Sequence, residues 1–192
     1  MIYAIIAHLK EGYTLESREF FRSFKDLNDL AKKAFLTLFF SGLSPKAPGS
    51  VGSLVAMPFA WVISYYIAPS TLLLLALFLS VVAVKIINDY EKQGMPHDCP
   101  QIVIDELAGV WISVAMIGHS LLGLFLAFVL FRVFDIWKPS VIGKVDKEVK
   151  GGWGVVGDDL LAGFFAGLLG LILVGIAQQI EFIAPFLEFL EF

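Results

Sequence analysis

The chain has 192 residues, of which 58% are hydrophobic and 17% charged, and its mean hydropathy is +0.80. A water-soluble core of this size cannot hide that much apolar side chain, so the composition excludes both a disordered chain and an ordinary soluble domain. A net charge of -4 offers no general attraction for nucleic acid.

What remains is an all-α integral membrane bundle forming one compact domain, with no internal repeat or low-complexity linker. Cys99 is the only cysteine, which rules out an intrachain disulfide. The first ten residues show neither a basic n-region nor a small-residue cleavage site, so no signal peptide is expected.

In chain order, residues 1–40 form a leader. Within it, 17–40 carries Phe20, Phe24, Leu27, Ala31, Ala34 and Leu38 at three- and four-residue steps, with Arg22, Lys25, Asp26, Asp29, Lys32 and Lys33 elsewhere. That spacing predicts an amphipathic helix lying on the membrane surface on its apolar stripe. Spanning helices of about 17 to 25 residues are then expected at 51–67, 71–87, 102–118, 120–137 and 159–177, giving about five crossings. The tail, 178–192, contains Glu181, Glu188 and Glu191 among Ile180, Phe182, Ile183, Phe186, Leu187 and Leu190, the pattern of an interfacial helix.

All 14 Lys and Arg residues lie in three stretches: Lys10 to Lys46, Lys85 to Lys92 and Arg132 to Lys150. The alternate turns, around Pro69-Ser70 and Gly118-His119-Ser120, have none. Positive charge marks cytoplasmic loops, so all three stretches belong on one, cytoplasmic, face. Asp105-Glu106, Asp135 and Asp158-Asp159 each fall where an expected span meets that face. The uncharged cores Leu107 to Gly118 and Ser120 to Phe131 are only 12 residues each, and they reach spanning length only by including Asp105, Glu106, Arg132 and Asp135. Charges in such positions are costly, which marks them as functional or paired.

Four motifs carry chemistry. In the stretch Ser41 to Ser53, Gly49 and Gly52 allow close backbone approach, and Ser50 and Ser53 open the following helix, whose N-terminal end favours an anion. Lys46 adds a nearby cation. Phosphate binding and a tight re-entrant turn both fit this pattern.

Asp105 and Glu106 occupy the first turn of the third span. They diverge by about 100° there, so one carboxylate can face the bundle and the other a neighbour, while Gly109 admits another helix. Arg132, Asp135 and Lys138 form one cluster at the end of the fourth span. They suit phosphate and metal binding, or a plain Arg132–Asp135 ion pair. Asp158 and Asp159 follow a glycine-rich segment, Gly151 to Gly154, read as a flexible loop. An Asp pair there fits either a helix cap or metal ligation. Adjacent acids without a local cation favour a bound cation, and hard oxygen donors without a His or Cys cluster favour Mg²⁺. His97-Asp98 offers either a proton donor or a solvated loop pair.

These segments together resemble the phosphatidylglycerophosphatase A family: SGLSPKAPGSVGSL at 41–54, HD at 97–98, IVIDELAGVWI at 102–112, FRVFDIWKP at 131–139 and GDDLLAG at 157–163. They occur in family order across 41–177. Ser50 stands where threonine is frequent, and the leader and tail exceed the usual pattern. The resemblance implies an all-helical, Mg²⁺-dependent phosphatase of the bacterial inner membrane that hydrolyses phosphatidylglycerophosphate to phosphatidylglycerol and phosphate. On this reading Asp105, Glu106, Asp135, Asp158 and Asp159 hold the metal. Arg132 and Lys138 act with the acids in catalysis, and Lys46, Pro48, Gly49, Ser50, Gly52, Ser53 and His97 meet the substrate.

The same carboxylates would also serve a small cation or proton transporter, but that requires them near the bilayer midplane with access from both sides. A CDP-alcohol phosphotransferase would need an Asp-Gly-x2-Ala-Arg motif, which is absent here.

Overall fold

The computed structural model describes residues 19–179 except 22, 24 and 98. The expected tail helix, the leader up to residue 18, and Arg22, Phe24 and Asp98 therefore lie outside the described residues. After a helical stretch at 19–21, seven α-helices run through the described part, with no strand among the described residues: α1 Leu27–Leu36, α2 Pro48–Tyr66, α3 Pro69–Glu91, α4 Ile104–Ile117, α5 Leu121–Trp137, α6 Val141–Glu148 and α7 Gly152–Gln178. A short 3₁₀ turn, Ser41–Leu43, precedes α2.

Local chemistry sets several of these boundaries. Proline in the first turn starts α2 and α3, where the missing N–H costs no hydrogen bond. The Ser120 hydroxyl caps α5 by accepting from the Gly123 N–H at 3.0 Å. Gly118, at φ 112°, supplies the left-handed link between α4 and α5.

The bundle is organised around α4, which is buried from Ile104 to Val114 apart from Glu106. Its most extensive partner is α7. A Cβ on Gly163 would collide with the Gly109 carbonyl, and the Ser113 hydroxyl donates to the Gly163 carbonyl at 2.9 Å. Small residues on both helices thus allow backbone-to-backbone approach.

α3 and α7 are each long and apolar enough to cross a membrane, and only 33% and 28% of their most apolar windows are buried in the bundle. Leu74, Phe78, Phe125, Ile172 and Ile176 face outward from α3, α5 and α7. Such a surface suits hydrocarbon rather than water. The other expected spans coincide with α2, α4 and α5, which have 19, 14 and 17 residues.

Three expectations are corrected. The connection between the spans expected at 120–137 and 159–177 is not plain loop but contains α6. The glycine-rich 151–154 stretch is not a flexible loop: α7 begins at Gly152, where a Cβ would lie 2.6 Å from the Val84 carbonyl, so the glycine permits close packing on α3.

The third correction concerns the charged side of α1, expected to face solvent: Asp29 and Lys33 are buried with Leu36, while Leu27 of the apolar stripe is 80% exposed. Lys33 Nζ lies 3.1 Å from Asp29 Oδ2 and donates to the carbonyls of Phe20 and Ser23 at 2.7 and 2.6 Å. The Tyr90 hydroxyl donates to Asp29 Oδ1 at 2.7 Å. Pairing makes burial of that charged face affordable, which a hydrophobic pattern cannot reveal. Ala31, Ala34 and Leu38 border an apolar cavity of about 430 Å³ against α2, α3 and α4.

Candidate active site

Four helix segments converge at one end of the bundle. Asp105 and Glu106 lie in the first turn of α4, and Asp158 and Asp159 lie six and seven residues into α7. Asp158 and Asp159 are therefore not N-caps. That position belongs to Gly151, which removes the capping explanation left open by the sequence. Asp105, Glu106 and Asp159 each present an oxygen, and these oxygens lie within 4.8 Å of one another. Gly109 sets this spacing: a Cβ there would stand 2.6 Å from the Asp159 carbonyl and collide with the Phe131 ring.

Gly49, at the start of α2, closes another side. A Cβ on it would collide with the Glu106 carboxylate and sit 3.2 Å from Arg132 Nη1. The expectation of an anion at this helix end is met from within the chain, since Glu106 itself approaches it. Ala47, at φ 45°, provides the left-handed turn that aims the end of α2 at the cluster.

Arg132 Nη1 lies 2.6 Å from Asp135 Oδ2, though poorly aligned for a hydrogen bond, and both side chains are largely buried. Asp135 is within electrostatic reach of Asp105, Glu106 and Asp159. Lys138 follows α5 in the left-handed conformation, φ 45°, a strained choice for a side chain with a Cβ. Its Nζ reaches Asp146 Oδ1 at 2.5 Å and Asp158 Oδ2 at 2.6 Å, not Asp135. Burial pulls the Lys138 pKa down, but the two carboxylates outweigh it and hold the ammonium above the ordinary lysine range.

Among the described residues, no Lys or Arg forms an ion pair with Asp105, Glu106 or Asp159. Glu106 Oε2, Arg132 Nε and Asp158 Oδ1 are buried with no hydrogen-bond partner. Buried polar atoms are nearly always satisfied, so this group of orphaned acceptors and a donor describes a site made for a ligand. Three clustered carboxylate oxygens with no Lys or Arg ion pair can hold a metal ion.

The other expected site residues divide. Pro48, Gly49 and Ser50 form the first turn of α2, and of these Gly49 borders the cluster. The Ser53 hydroxyl is buried and donates to the Gly49 carbonyl at 2.8 Å, and Gly52 serves packing, since a Cβ would lie 2.6 Å from Val103 Cβ. Lys46 is exposed. The exposed His97 has Nδ1 2.5 Å from Glu91 Oε1, and its ring borders Gly154, one turn before Asp158. Sequence reasoning missed Asp146, whose signal was the pairing of an acid in α6 with a lysine eight residues earlier.

An all-helical protein with an outward apolar surface, an acidic cluster able to hold a metal ion and an unsatisfied guanidinium beside it has the make-up of a membrane phosphatase. The family model for phosphatidylglycerophosphatase A matches residues 34–174, and the chain belongs to that family. It is 38% identical over 137 residues to phosphatidylglycerophosphatase A of Escherichia coli strain K12, covering 70% of this chain and 78% of that protein. The Haemophilus influenzae protein of the same name is 33% identical over 129 residues, covering 67% and 79%. A Bacteroides thetaiotaomicron protein with the provisional name phosphatidylinositol-3-phosphatase is 35% identical over 152 residues, covering 75% and 91%. No solved structure matches the chain.

Proposed function

We infer that this protein is a Mg²⁺-dependent phosphatase that converts phosphatidylglycerophosphate to phosphatidylglycerol and phosphate at the cytoplasmic face of the bacterial inner membrane. One observation carries the reading: three carboxylate oxygens without an ion-pair partner, within 4.8 Å of one another, beside Gly49 and the unpartnered Arg132 Nε. Five crossings by α2, α3, α4, α5 and α7, with 1–40 as a surface leader, 41–177 as the catalytic unit and 178–192 as an interfacial tail, put this cluster on the side rich in Lys and Arg.

Asp105, Glu106 and Asp159 would hold Mg²⁺, with Asp135 and Asp158 completing the donor set. When bound, the ion supplies positive charge against the phosphoryl oxygens and lowers the pKa of an attacking water. Arg132 donates its free Nε–H to a phosphoryl oxygen, and the missing side chain at Gly49 leaves Glu106 and Arg132 room to close on the phosphate. Lys138 has three N–H donors, two engaged by Asp146 and Asp158, which leaves one for the headgroup. A water oxygen bonds to phosphorus, its proton passes to a carboxylate of the cluster, and the glycerol oxygen leaves and takes up a proton.

Gathering of the acids at one end of the bundle disfavours a transporter, which needs them in mid-membrane. The Bacteroides relative makes a phosphoinositide the rival substrate. Phosphate release by the purified protein from phosphatidylglycerophosphate and from phosphatidylinositol 3-phosphate, each with Mg²⁺ or with chelator, tests both points. Release from the first substrate only with Mg²⁺ is expected. Chelator-insensitive release, or release from the phosphoinositide alone, overturns the assignment.

A further inference from the structure

The outward side of α5 differs from the other apolar faces of the bundle. Phe128, Val129, Arg132, Val133, Ile136 and Trp137 line a groove of about 440 Å³ on it. Val133, Ile136 and Trp137 are 48%, 72% and 74% exposed, and Phe125, one turn earlier, extends the strip at 63%. Equally apolar faces occur on α3, at Leu74 and Phe78, and on α7, at Leu171 and Ile172. Only the α5 strip has a residue of the acidic site in its wall: Arg132 lines the groove, pairs with Asp135 and approaches the Gly49 position. Arg132 thus links the two: its aliphatic stem lies along the face where hydrocarbon would lie, and its buried guanidinium turns to the site.

We propose that this α5 groove is the docking track for an acyl chain of the phospholipid substrate, with Arg132 at its rim passing the headgroup phosphate to the acidic cluster. The proposal rests on the lipid-phosphatase reading above. The occupant follows from charge and depth. An anionic phosphate complements Arg132, whose Nε is buried and unpartnered, and Trp137 beside it suits the headgroup level. From Arg132 back to Phe125 the helix descends roughly 10 Å, enough to carry the upper part of an acyl chain along an unbroken apolar strip. A bulk lipid would gain the same hydrocarbon contact but has no terminal phosphate to deliver to the cluster.

The test compares a long-chain phosphatidylglycerophosphate in vesicles with a water-soluble dihexanoyl form. Val133→Trp and Val129→Trp fill the groove with an apolar ring that a lipid-facing surface tolerates. Each is expected to lower the ratio of long-chain to short-chain kcat/KM by about tenfold, through lost apolar contact. Leu74→Trp on α3 is expected to leave that ratio unchanged. A phosphatidylglycerol with a diazirine on its acyl chain should label the α5 peptide in preference to the α3 peptide, a readout independent of turnover.

An unchanged ratio in both groove variants, an equal shift in Leu74→Trp, or equal labelling of α3 and α5 overturns the proposal. So does Val133→Cys forming disulfide-linked dimers in membranes with the ratio unchanged, which would give this face to a second copy of the chain. If the unsubstituted protein cleaves neither lipid, the phosphatase reading itself has failed, a result distinct from all of these.

Discussion

Two sets of buried charge sit in this bundle, and they are finished differently. Around Asp29 every group is matched: Lys33 at 3.1 Å, the Tyr90 hydroxyl at 2.7 Å and the Lys25 N–H at 3.1 Å surround the carboxylate, and Lys33 places its remaining donors on two carbonyls. Around Asp105, Glu106 and Asp159 the acids outnumber the cations, and polar atoms of Glu106, Arg132 and Asp158 are left without partners. A closed cluster like the first fastens α1 to α3 and has nothing to offer a ligand. An open one is unfavourable in the absence of a ligand and favourable with it, because the missing counter-charge comes from outside. The difference separates a structural charge cluster from a catalytic one where burial alone cannot.

The largest expected effect breaks the closed cluster. Lys33→Met leaves Asp29 buried without its cation, and such losses run about 3–5 kcal/mol. A thermal or denaturant scan in detergent should show the destabilisation, while turnover per folded molecule stays near normal. A large fall in turnover at unchanged stability would show that the Asp29 cluster is not merely structural.

The converse is expected of the open cluster. Asp105→Asn and Asp159→Asn should each lower phosphatase rate roughly a hundred- to a thousandfold, the scale seen when charge stabilisation is removed from a transition state. Their stability without metal should hold or rise, since mutual repulsion is relieved. Activity close to normal in both variants would sink the catalytic assignment of the acids.

Acidity sharpens the contrast further. Burial raises the Asp29 pKa, but the hydrogen bonds from Tyr90 and Lys25 and the charge of Lys33 outweigh it, so the carboxyl is held below its ordinary value of 3.8. A depressed pKa means that its contribution is complete above the unfolded value and lost as pH falls through the folded one. The stability difference between the Asp29→Asn variant and the parent should therefore be at full size above pH 3.8 and shrink as pH falls below it. A constant difference at all pH values would show that the ionised form contributes nothing.

Much of this contrast was legible in the sequence, but unevenly. Apolar runs with basic residues in alternate connections located all five long helices to within a few residues, except that α7 starts earlier, and the acids at their ends already pointed to one face. The charged face of α1 was not legible, because Asp29 and Lys33 count as solvent-facing in any hydrophobic pattern until their pairing is known. Nor was α6, whose sequence VIGKVDKE has too little apolar surface to announce a helix; it is held by Ile142 in the core and by the link from Lys138 to Asp146. Gly152 and Gly154 looked like breakers because sequence alone does not tell conformational freedom from close packing.

The smallest expected effect concerns a methyl group, and it tests the boundary of the open cluster most directly. Gly49→Ala would push a Cβ into the Glu106 carboxylate and to 3.2 Å from Arg132 Nη1, whereas a Cβ on Gly175 in α7 meets nothing within 4 Å. Both positions are helical, so alanine lowers the entropy of the unfolded chain equally, a gain of about 0.4–1 kcal/mol where no strain opposes it. Gly175→Ala should therefore be slightly stabilising with unchanged turnover. Gly49→Ala should lose roughly tenfold in kcat/KM, as expected for the loss of about one charged contact as Glu106 and Arg132 move aside. Because the clash is with flexible side-chain ends rather than backbone, the fold should survive. Equal kinetics in the two variants would mean that the start of α2 only packs against the acidic cluster and takes no part in admitting phosphate.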